Sequence, residues 1–71
     1  MTPDGVDLIA WMAKHATKEE ADRSSTQMHF KCKLHHRMLR VATDLGMSSV
    51  EVKQLTKLVR DQADAKYESW L

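Results

Sequence analysis

The sequence has little of what usually staples, divides or anchors a chain. A single cysteine, Cys32, among 71 residues excludes an intramolecular disulfide framework. One proline and two glycines fall near the N-terminus and at one internal turn. No linker, repeat or low-complexity tract separates parts of the chain, and one small domain over residues 1–71 is expected. β-Branched residues never alternate over a useful length, which excludes a sheet. No N-terminal apolar run resembles a signal peptide or a membrane span, so a soluble cytoplasmic protein is expected. Charge of one sign is also lacking: 11 Lys and Arg against 10 Asp and Glu give a formal net charge of +1 at pH 7. Any nucleic-acid contact must then come from a local patch.

What is present is helical periodicity. Three helices are expected. The first opens at Thr2-Pro3, with Asp4 placed favourably for the helix dipole, and runs to about His15. Its apolar face is Val6, Ile9, Ala10, Met12, Ala13 and Ala16, with Trp11 near the edge. The second begins at Thr17, which heads a capping box with Glu20, and a kink or a later start is expected at Ser24-Ser25-Thr26, where Ser24 and Gln27 offer a second cap. Along it, Met28, Cys32, Leu39 and Ala42 form one stripe, and Phe30, Leu34, Met38, Val41 and Leu45 the adjoining one. Together they cover roughly half the circumference, the face of a central helix or of one buried in a dimer. The last helix carries a narrower seam of Val52, Leu55, Val59, Ala63 and Trp70.

Between the second and last helices, Leu45-Gly46 reads as a sharp stop, since Gly46 tolerates the left-handed conformation that ends a helix, and Ser48 with Glu51 reads as a capping box that starts the next. Over residues 38–59 this pattern resembles the prokaryotic helix-turn-helix motif: small Ala42 in the first helix, Leu45-Gly46 at the turn, and apolar Met47, Val52 and Leu55 beyond it. The resemblance implies two steeply crossing helices with a miniature core of Val41, Leu45, Met47, Val52 and Leu55. It also implies a second helix presenting Ser49, Val50, Lys53, Gln54 and Lys57 to the major groove. The sequence departs from the motif after Leu55, where no Gly or Pro stops the helix. A long last helix suits a plain antiparallel hairpin or a dimerising helix instead.

Charge is unevenly spread. His29, Lys33, His36, Arg37 and Arg40 form a cationic ridge, while Asp61, Asp64 and Glu68 make the C-terminal end acidic. Such a ridge is either an ordinary solvated face or a contact for phosphates or an acidic protein surface. His29, Cys32 and His36 share a helix face at metal-ligand spacing and would need a fourth ligand from His15 or a symmetry mate, while Cys32 also suits the border of the apolar stripe, and no metal or other cofactor is assigned. His35, among apolar residues, reads as an interior or interface histidine. No carboxylate pair, phosphate loop or activated nucleophile is evident, and so small a chain has no room for a substrate cleft, so neither an enzyme nor a small-molecule substrate is expected.

The reading is an all-α protein, expected to be a homodimer. It binds DNA as a transcriptional regulator through Ser49, Lys53, Gln54 and Lys57, with Arg37 and Arg40 on the backbone. The alternative is a helical protein-interaction module, such as a phage or mobile-element inhibitor of a host or defence protein, using Trp11, Trp70 and Leu71. An RNA-binding hairpin dimer is a third possibility. No membrane partner is expected.

Overall fold

The computed structural model describes residues 7–71. Among them lie four α-helices and no strand: α1 (Leu8–His15), α2 (Lys18–Arg23), α3 (Gln27–Asp44) and α4 (Ser49–Ser69). The protein is all-α with long central and C-terminal helices, and the expected second helix is divided in two. The proposed Thr2-Pro3 helix start and Val6 lie outside the described residues. Asp7 has an extended backbone and its Oδ1 accepts from the Ala10 N–H at 3.2 Å, so α1 starts at Leu8.

Each helix boundary follows from side chains that compete for backbone hydrogen bonds. The Thr17 hydroxyl caps α2 by accepting from the Glu20 N–H at 3.2 Å. The carboxylate half of the expected box is diverted, because Glu20 turns to Lys33, Arg37 and Arg23. At the end of α2, the Ser24 hydroxyl donates to the Glu20 carbonyl at 2.8 Å, and Ser24 itself is extended. The new start is capped by Thr26 rather than Ser24: its hydroxyl accepts from the His29 N–H at 3.0 Å. Three successive hydroxyl residues thus break the helix, as their local hydrogen bonds predict.

The turn between α3 and α4 matches its reading closely. Gly46 has φ of +74°, its N–H donates to the Thr43 carbonyl at 3.0 Å, and the Met47 N–H donates to the Ala42 carbonyl at 3.1 Å. That pair of bonds is a Schellman motif. Ser48 and Glu51 then form the complete capping box.

Helices α3 and α4 lie side by side over their whole length. Near the start of α3, Gln27 reaches Asp64 at 3.1 Å and Glu68 at 3.4 Å, and Lys31 reaches Asp64 at 3.2 Å. These pairings lie at the ends of the helices farthest from the turn. Two helices crossing at roughly 90–120°, as in a groove-reading module, separate soon after their turn. The unit is the antiparallel hairpin. Its core is Phe30, Leu34, Met38 and Ala42 against Leu55, Val59 and Ala63, closed at one end by Met12, Ala16 and Ala21 from the short helices. Phe30 is fully buried, with the rings of Tyr67 and Trp70 at 5.7 and 6.1 Å.

Two expected apolar faces are corrected. In α1, Ile9 is 83% exposed, and Ala10 and Ala13 are exposed as well. Met12 and Ala16 are buried as expected, and Leu8 and Trp11 turn inward beside them. In α3 the two adjoining stripes part company: Phe30, Leu34 and Met38 are buried with Ala42, while Met28 is 60% and Leu39 37% exposed, Cys32 is exposed, and Leu45 is half exposed. The narrow seam of α4 is wide enough to cover only one stripe.

Candidate interaction surface

Of the residues expected to read DNA, Ser49, Lys53, Gln54 and Lys57 are all exposed on the first turns of α4. Lys57 is 3.7 Å from Asp61, both largely in solvent. Arg37 lies on another side of the molecule, 3.5 Å from Glu20 Oε2, and Lys33 shares that oxygen at 3.3 Å. The Lys33 hydrogen bond, with support from the charges of Arg37, Lys33 and Arg23, holds the Glu20 carboxyl below its usual range. Part of the cationic ridge therefore joins α2 to α3. Among the described residues Arg40, Lys53 and Arg60 have no carboxylate within 4 Å.

The expected interaction residues separate as well. Trp11 is half-buried, its ring 4.5 Å from that of His15, and Trp70 packs edge-on against Phe30. Both belong to the fold. Leu71 alone is open, at 86% exposure.

The stripe left open on α3 is the one the sequence placed at Met28, Cys32 and Leu39, joined by His35, while its fourth expected member, Ala42, is buried. Met28, Cys32, His35 and Leu39 recur at intervals of four, three and four residues, the spacing of a helix-packing seam. Met28, Cys32 and His35, with Lys31 and His36 beside them, line a groove whose opposite wall is Lys57, Arg60, Asp61 and Asp64 of α4, and Leu39 continues the stripe beyond it. His35 is the member that the sequence read as an interior or interface histidine without placing it on the stripe. Its Nδ1 is buried without a hydrogen-bond partner among the described residues. Desolvation first, then the Arg60 and His36 charges, lower its pKa. The His36 ring stands perpendicular to it at 5.6 Å.

Along α4 the charge is graded: Lys53 and Lys57 lie nearer the turn, Arg60 and Asp61 near the middle, and Asp64 and Glu68 toward the far end. A smaller apolar cleft lies between α1 and α4, lined by Leu8, Ile9, Met12 and Ala13 with Gln62 and Lys66.

Among the described residues no group of three His, Cys, Asp or Glu side chains could hold a metal ion. His29 Nδ1 is instead 3.3 Å from the Ser25 backbone nitrogen and hydroxyl. No helix among those residues is long and apolar enough to cross a membrane. Comparison with protein-family models, curated proteins and solved structures finds no match to this chain.

Proposed function

We propose that this protein is a small cytoplasmic protein-interaction module that docks a partner along the groove between α3 and α4, with no catalytic role of its own. The observation behind this reading is the Met28–Cys32–His35–Leu39 seam, an apolar stripe at helix-packing spacing left outside the core. A rim of Lys57, Arg60 and Asp61 beside apolar centre residues has the composition of a docking site. Occupation of another protein's surface, as by an inhibitor, is the mechanism this chemistry suits.

The test uses the chain's single thiol. A photoreactive maleimide on Cys32, irradiated in an extract of the source cells, is expected to give a protein adduct that Leu39→Glu abolishes. Absence of any protein adduct, or one indifferent to Leu39→Glu, would refute the groove as a docking site.

The DNA-binding regulator is a second reading, favoured by the shared exposure of Ser49, Lys53, Gln54 and Lys57, with Arg40 also free of any carboxylate among the described residues. The side-by-side helices, the near-neutral charge and the engagement of Arg37 by Glu20 weigh against it. On this reading Lys53→Ala with Lys57→Ala weakens retention of genomic fragments and reduces its salt slope by about one unit for each phosphate no longer neutralised. No retention of wild type at low salt would dismiss it.

A further inference from the structure

We infer that the occupant of the groove is a second copy of this chain, related by a twofold axis perpendicular to α3. The inference rests on the docking reading above and names its partner.

Register comes from the pairings between the long helices. Lys31 is level with Asp64, and Gln27 with Glu68. The middle of the seam, between Cys32 and His35, is therefore level with Asp61 and Gln62 on α4. A twofold axis at that level lays α3 over its own copy in antiparallel sense. Met28 then meets the partner's Leu39, and Cys32 meets the partner's His35. Met28 and Leu39, both exposed in the protomer, then cover one another at the two ends of the seam.

The charge on α4 obeys the same symmetry. Because the wall runs from basic near the turn to acidic at the far end, the operation that pairs the seams brings Arg60 and Lys57 to within a turn of the partner's Asp64 and Glu68. Arg60 has no carboxylate in its own protomer among the described residues. An isologous interface must be complementary to itself, and the two ends of this wall are, with Arg60 and Asp61 of both copies beside the axis. An axis parallel to the helices would instead set the apolar seam on the charged wall, burying ions against Leu39 and Met28 at a desolvation cost. The size of the chain points the same way, since a core this small gains most from a partner that completes it.

The experiment is a charge exchange read by sedimentation. At micromolar concentration wild type is expected to sediment at twice the chain mass of 8.2 kDa. Lys57→Glu alone sets acid against acid across the axis, and Glu68→Lys alone sets base against base. Each is expected to sediment as a monomer with wild-type helical circular dichroism. Mixed in equal amounts they are expected to form a dimer, because only the mixed pair restores both salt bridges. Should either substitution unfold the chain, a short bismaleimide on unsubstituted protein gives a second readout: Cys32 and the partner's Cys32 stand about 10 Å apart across such a helix pair and are expected to cross-link.

A monomeric wild type, a mixture that stays monomeric although both variants are folded, or no Cys32 cross-link would overturn the second-copy assignment. A monomeric wild type that still gives a Leu39-dependent Cys32 adduct with a different protein would overturn this inference while upholding the docking reading.

Discussion

Lys31 Nζ lies 3.2 Å from Asp64 Oδ2, joining the first turns of α3 to the later turns of α4 with both side chains partly shielded. This pair, far from the turn, marks the two helices as lying side by side and gives the register from which the rest of the groove is read. A double-mutant cycle with Lys31→Ala and Asp64→Ala is expected to give a coupling of about 0.5 kcal/mol in urea unfolding, the scale of a partly exposed ion pair. The cycle separates this pair from the bond that Gln27 also makes to Asp64. Zero coupling would mean that packing alone holds the register.

Gly46 is the second determinant of the hairpin. A Cβ added there meets nothing within 4 Å, but φ is +74°, so an L-residue is strained by its own backbone alone. Gly46→Ala is expected to lower stability by about 1 kcal/mol, and Gly46→Asn by less. An unchanged urea midpoint for the alanine variant would contradict the cap.

Trp70 and Leu71 are neighbours in sequence with different roles. Trp70 covers Phe30 within the protomer, whereas Leu71 is open. Trp70→Ala is expected to cost about 2 kcal/mol, less than a fully buried tryptophan. Removal of Leu71 is expected to leave thermal unfolding unchanged. Equal losses from the two changes would place Leu71 in the packing as well.

Acid should weaken the fold through two histidines. The pKa of His15 is lowered by burial, then by Arg37 and Lys14, against an opposing pull from Glu20; that of His35 is lowered by burial, then by Arg60 and His36. Between the ordinary histidine value of 6.5 and the lowered folded values, the unfolded chain binds protons that the folded chain does not. Stability therefore rises with pH through that window and is lost as pH falls. The urea midpoint is expected to be lower at about pH 5.5 than at about pH 7.5, and His15→Gln with His35→Gln to flatten the dependence. A midpoint that climbs on acidification would reverse the sign and refute the assignment.

The local devices of this fold are legible in the chain itself. Thr17, Gly46, Ser48 and Glu51 act within a few residues of their own position, so the boundaries they set need no tertiary information. The run Ser24-Ser25-Thr26 announced a break for the same reason, although which hydroxyl would cap the next helix depended on where α3 had to point.

The site was less legible because helical periodicity places residues on stripes without saying which stripe is covered. On α3 two adjoining stripes were equally apolar, and the narrow seam of α4 buried Phe30, Leu34 and Met38 while leaving Met28, Cys32 and Leu39 outside. In α1 the same ambiguity sent Ile9 outward and Trp11 inward. The basic residues between Lys31 and Arg40 were evident in sequence, but only folding brought Glu20 to Lys33 and Arg37, and Asp64 to Lys31. The chain by itself determined the helices and their ends, through short-range hydrogen bonding and backbone freedom. Which faces remained open and which charges found partners was decided by the tertiary structure, because pairing two long helices has one packed register and leaves the unmatched surface to solvent or to a partner.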